Sequence, residues 1–181
     1  MSKNENQPST MEKVISNFDE KRGVNRRTQD VDFDRRCFDR RDGAFVFEKT
    51  VYLSDTNAFG NTYFAKYFEW QGMAREAFVK RCLVPDFKQL VMSGVKLITA
   101  EAYHKYKHET VVYDRVLIRL KVGPRRRSTV ELLFTFVDKT TGRLIGQGRQ
   151  VIAFANAKGR LIRVPEMIAK NIKPFMSSNR K

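Results

Sequence analysis

The stretch Val51–Val79, VYLSDTNAFGNTYFAKYFEWQGMAREAFV, decides how the rest of the chain has to fold. It reads as a strand end, a polar turn and one long helix. Strand character runs from Phe45 through Val51 and Leu53, and Ser54-Asp55-Thr56-Asn57 breaks it with turn-forming side chains. Gly60 and Asn61 then read as a helix start, because a short side-chain oxygen accepts from the orphan amides of a first turn. Phe64, Tyr67, Phe68, Met73, Ala74, Ala77 and Phe78 recur at three- and four-residue spacing, with Trp70 beside them and Gly72 as the one interruption. Most of the circumference is apolar, so the helix is expected to be wrapped rather than laid on a surface. A buried helix entered through a polar turn sets unpaired amides beside polar side chains. That is a place to hold a carbonyl oxygen or an anion.

Downstream, Leu83-Val84-Pro85 ends the helix and strands follow in close succession. Val95–Lys107 is the first, and Val111–Val122 alternates Val116, Ile118, Leu120 and Val122 against Arg115, Arg119 and Lys121. Gly123-Pro124 is read as a turn. Ser128–Asp138 alternates again through Val130, Leu132, Phe134 and Phe136, Lys139–Gly142 makes a hairpin turn, and Leu144–Ala155 is the last long strand. Pro165–Ile172 reads as a short helix. One strand, one long helix and then a run of hairpin-connected strands define an α+β fold, in which an antiparallel sheet curls round the helix. Its exposed edges call for a second copy.

The chain has 181 residues, 41% of them hydrophobic and 12% aromatic, enough for one domain with a sizeable core. Its formal charge is +15. Residues 1–43 hold ten Lys/Arg and nine Asp/Glu, so the other 25 basic and 11 acidic residues place +14 on residues 44–181. The excess therefore sits on the folded part and implies polyanionic partners: nucleic acid, coenzyme A phosphates or an acidic carrier protein. Residues 1–43 read as a polar, flexible extension with an optional short helix at Met11–Phe18. Within it the unit Phe33–Arg36 repeats at Phe38–Arg41, a solvated segment or a docking arm. Residues 44–174 form the domain and 175–181 a basic tail. Cys37 and Cys82 suit a reducing cytosol, and neither a signal peptide nor a run of ~18 apolar residues is present, so the expected location is cytoplasmic without membrane insertion.

The string Asp55-Thr56-Asn57-Ala58-Phe59-Gly60-Asn61, running into Tyr63–Trp70, resembles hot-dog-fold acyl thioesterases of the 4-hydroxybenzoyl-CoA thioesterase superfamily. Trp70-Gln71-Gly72, Arg75-Glu76 and Gly148-Arg149-Gln150-Val151 resemble the branch found with enediyne polyketide synthases, and the similarity spans about Phe45 to Ile168. The resemblance implies hydrolysis of acyl-CoA or acyl-carrier-protein thioesters, polyketide or β-keto chains among them, in a homodimer or tetramer with sites at the interface. It implies no cofactor: coenzyme A or phosphopantetheine enters as part of the substrate. Many members carry an aspartate where this chain has Asn57, and an amide neither titrates nor attacks. The implied site is therefore acid-free, with Asn57, the backbone amide near Phe64, Tyr67 and Arg75 as its catalytic groups.

Each of these residues also has a plain structural role open to it. Asn57 serves its own turn, Tyr67 fills core, and Arg75 pairs with Glu69 or Glu76. Glu69 is the alternative catalytic carboxylate. His104 and His108 share a strand face without a third ligand, so no metal site is expected. Two rival readings are a catalytically silent acyl-thioester binder and, less favoured, a nucleic-acid binder built on Arg125-Arg126-Arg127, for which no RNA-reading motif is present.

Overall fold

The computed structural model describes residues 38–39, 42–84 and 87–177. The helix expected at Met11–Phe18, the first Phe-Asp-Arg-Arg unit, Cys37, Pro85 and residues 178–181 lie outside them. Six strands, β1 (Phe38–Asp39), β2 (Ala44–Thr50), β3 (Lys96–Tyr106), β4 (Arg115–Arg125), β5 (Thr129–Asp138) and β6 (Leu144–Ala155), form one sheet in the order β1-β2-β4-β5-β6-β3. Every neighbouring pair is antiparallel. Helix α1 (Lys66–Phe78) continues as a π turn over Val79–Leu83, followed by α2 (Phe87–Met92), and α3 (Glu166–Asn171) comes after the sheet.

Alternation puts the apolar side chains of the central strands on one face. Val116, Ile118, Leu120, Val122, Val130, Leu132, Phe134 and Phe136 are all buried there. Helix α1 lays Tyr67, Trp70, Ala74 and Phe78 against them, with the Phe78 ring tilted on Phe45 at 5.5 Å and edge-on to Phe175 at 4.8 Å. Each large apolar side chain withdrawn this way is worth roughly 1.5–3 kcal/mol relative to exposure. The stripe Glu69, Met73, Glu76 and Lys80 faces outward, so the expected all-round cover is met on one face only. The sheet reaches no further in this protomer.

Five sequence expectations shift. The helix begins at Lys66, not at Gly60-Asn61, because those residues belong to a tighter structure: the Gly60 amide donates to Asn57 O, and Asn61 and Thr62 bridge to Val111 and Thr56. Gly123-Pro124 does not turn the chain. Both lie inside β4, where a register shift between Val122 and Arg125 absorbs them, and the hairpin comes at Arg126–Ser128. Strand β4 starts at Arg115, since Val111–Asp114 form a turn that the Asp114 carboxylate closes on the Val111 amide at 2.9 Å. The sheet also begins earlier than Ala44, as Phe38 and Asp39 pair with Phe45 and Ala44. At the other end Phe175 is buried, and Ser177 donates to Val122 O, so the segment read as a tail is tied to the sheet this far.

Candidate active site

The polar turn ahead of α1 is pinned from below. Lys49 points inward from β2, its Nζ 2.8 Å from Asp55 Oδ2, over the rings of Tyr52 and Trp70 at 5.0 and 5.6 Å from their centroids. Burial pushes the Asp55 carboxyl up, but the Lys49 bond and the Tyr52 amide outweigh it and hold the pKa below the ordinary value. The Asp55 carbonyl in turn accepts from the Tyr63 amide at 2.9 Å, which fixes where the chain enters the helix. Sequence reasoning named Asp55 as a turn residue and missed Lys49.

Asn57 sits in the turn so fixed. Its Oδ1 accepts from the Phe59 amide at 2.9 Å, so its side chain serves its own turn, while Phe59 beside it is 92% exposed. No side chain caps α1, and among the described residues the amides of Phe64 and Ala65 donate no hydrogen bond. These are the open donors that a helix start offers to an oxyanion. The Phe64 carbonyl accepts from Tyr106 Oη at 3.0 Å, which steadies that peptide.

Tyr67 is buried, with its hydroxyl 2.9 Å from Thr110 Oγ1, which lies 2.7 Å from Thr62 Oγ1. Burial raises the Tyr67 pKa and the Thr110 bond opposes that. The three hydroxyls form a chain that ties the helix to the segments on either side of the entry turn. Glu69, the alternative acid, is exposed and paired with Lys66 at 3.0 Å.

Arg75 lies two turns beyond Tyr67, about 12 Å along the axis. Its Nη1 donates to Thr99 Oγ1 at 2.7 Å and to Gln150 Oε1 at 3.1 Å. Among the described residues it pairs with no acid, neither Glu69 nor Glu76. The structure thus gathers Asn57, Phe64 and Tyr67 at the helix start and sets Arg75 apart from them within one protomer.

Between these two ends lies a buried polar pair. Gln71, fully buried, donates through Nε2 to the Tyr103 carbonyl at 3.2 Å and to His104 Nδ1 at 3.1 Å. A carbonyl only accepts, so Nε2 must face it, and His104 then carries its proton on Nε2. Burial lowers the His104 pKa to about 4, so the ring is neutral. Gln71 and His104 press against Gly148 and Gly146, where a Cβ would fall inside contact distance of either side chain. The helix and strand motifs quoted from the sequence are therefore two sides of one contact: Gln71 meets Gly148, and Arg75 meets Gln150. A glutamine in an apolar helix and Gly-x-Gly in a strand were the available signals.

His108 follows β3, its Nδ1 2.6 Å from the Leu144 carbonyl. Among the described residues no three His, Cys, Asp or Glu side chains gather at one point, and no helix is long and apolar enough to cross a membrane. Arg125, Arg126 and Arg127 are exposed at the β4–β5 hairpin. A concavity of about 510 Å³ on the sheet's other face is lined by Tyr103, Arg119, Lys121 and Arg149. Its cations are spent on Asp39, Asp42, Glu101 and Glu131.

An antiparallel sheet packed on one long helix is the hot-dog architecture of the thioesterases this chain resembles. The chain belongs to the thioesterase-like superfamily, whose family model matches residues 51–172. Among solved structures it is similar to dynemicin thioesterase, whose crystal structures reveal polyene binding, at 26% identity and a TM-score of 0.68 over 74% of this chain and 97% of that one. It also shares its fold with a gentisyl-coenzyme A thioesterase at 22% identity and a TM-score of 0.63, over 70% and 98% of the two chains. The third is the protein SAV2348 of Staphylococcus aureus in complex with CoA, at 17% identity and a TM-score of 0.69, over 74% and 84%. No curated protein sequence matches the chain.

Proposed function

We propose that the protein hydrolyses acyl-CoA or acyl-carrier-protein thioesters without a carboxylate at the reacting centre. The observation that carries this is Arg75. It is a guanidinium on the central helix held by two neutral oxygens and, among the described residues, by no acid, so its charge stays available to substrate. The open amides of Phe64 and Ala65 supply the second element, donors for the oxygen that becomes negative when water adds to the thioester carbon. The C–S bond then breaks, the thiol leaves with a proton, and Arg75 holds the acid product. Asn57 shapes the turn and offers its amide NH₂ to carbonyl or water, and Tyr67 holds the entry turn through Thr110. One oxyanion donor is worth about 3 kcal/mol in other enzymes. The +14 carried by residues 44–181 suits coenzyme A phosphates or an acidic carrier protein. The distance between Arg75 and the helix start within one protomer supports a site completed by a second copy.

Free-thiol release from acyl-CoA and acyl-carrier-protein panels tests this. The wild type is expected to turn over, and Asn57→Ala and Arg75→Ala each to lose at least about tenfold, some 1.4 kcal/mol of transition-state stabilisation. Saturable acyl-thioester binding with no release of thiol by a folded wild type would leave a binding protein instead. Activity that survives both substitutions and dies with Glu69→Gln would move the chemistry to that acid.

A further inference from the structure

Arg75 uses its nitrogens unequally. Nη1 carries both of its bonds, to Thr99 Oγ1 and Gln150 Oε1, while Nη2 and Nε find no acceptor among the described residues. One edge of the planar fork is anchored and the other is open. The anchor is itself fixed, because Gln150 is only 3% exposed and lies on β6 between Ala102 of β3 and Leu132 of β5. The helix cannot slide over it, since Gln71 is wedged against Gly148, one strand repeat from Gln150 and one helical turn from Arg75.

The chemistry of the anchor is specific. A carboxylate at position 150 would hold the guanidinium more tightly, but it would neutralise the charge and can claim Nη2 along with Nη1. A hydrocarbon would leave Arg75 tied by Thr99 alone. We infer that Gln150 is a positioning residue for Arg75: its neutral carboxamide oxygen fixes one edge of the guanidinium and leaves the other, fully charged, for the substrate thioester. This rests on the reading of Arg75 as a substrate-contacting group. Among the described residues no charged side chain other than Arg75 hydrogen-bonds to Gln150. Glu101, Glu131 and Arg149 of the adjoining strands bond one another on the far face, and His104 is engaged by Gln71.

The test is a double-mutant cycle on thioester turnover with Arg75→Ala, Gln150→Glu and both together, and with the isosteric Gln150→Met as the milder lesion. Gln150→Glu should lower kcat about tenfold with KM little changed, while its melting temperature stays at or above wild type. In the Arg75→Ala background it should make no further difference. Gln150→Met should show a smaller loss that also vanishes with Arg75→Ala. If Arg75→Ala loses activity and Gln150→Glu lowers the remainder by its full independent factor, or Gln150→Glu is fully active, the positioning role is overturned and the site reading stands. A fully active Arg75→Ala would overturn both.

Discussion

At the scale of single residues, His104 makes the protein's stability depend on acid. Its folded pKa of about 4 lies below the 6.5 of an exposed imidazole, so the unfolded chain binds the proton first. The stability due to its burial is full above pH 6.5 and drains away as pH falls toward 4, by at most about 1.4 kcal/mol per unit. Asp55 and Glu48 act in a different window. Lys49, in the first case, and Lys139 with Arg115, in the second, hold these carboxyls below their ordinary values of 3.8 and 4.5, so their share is full above those values and is lost as pH falls below them. Urea melts at pH 7.5, 5.5 and 4.5 should therefore show wild type weakening across the upper window. His104→Gln, less stable at pH 7.5 but unable to titrate, should lose far less across the same range. An equal acid limb in both proteins would assign the effect to other groups.

At the scale of elements, the contact of α1 on β6 sets opposite signs for one substitution. A methyl at Gly148 must displace the buried Gln71, and overpacking of this kind costs typically 1–3 kcal/mol. A methyl at Gly72, in α1 itself, meets nothing within 4 Å, and removing a helical glycine should stabilise by roughly 0.5–1 kcal/mol. Thermal melts of Gly148→Ala and Gly72→Ala should move in opposite directions, and a shared direction would mean the register is set elsewhere. The same contact shows what was legible beforehand. Strands β5 and β6 announced themselves because one face is buried and alternation records it, and Leu144–Ala155 is found as read. The bulge at Gly123-Pro124 and the late helix start were hidden, since pairing to β5 and to Val111 decides them and neither is local. Asn57, Tyr67 and Arg75 were visible through their motif. The roles of Gln71, His104, Thr110 and Gln150 were not, because each acts through a partner at least 30 positions away in the chain.

At the scale of the molecule, β3 closes the sheet, and among the described residues its outer edge pairs with no strand. Ile98, Tyr103 and Tyr106 on it are 42–52% exposed, and no charge run or proline blunts the strand. The exposed Phe59, Tyr63 and Phe64 add apolar surface around the helix start. One protomer also separates Arg75 from the open amides by more than a substrate carbonyl can bridge. Edge pairing of two copies would account for all three features at once, because it would cover β3 and bring groups of a second copy to the first. Sedimentation should then give a mass at least twice the 21.1 kDa of the chain. Ile98→Lys, a charge placed on the edge strand, should shift the protein toward monomer with little change in protomer stability, and specific activity should fall with the dimer fraction on dilution. A fully active wild type sedimenting at 21.1 kDa would place the whole site within one chain.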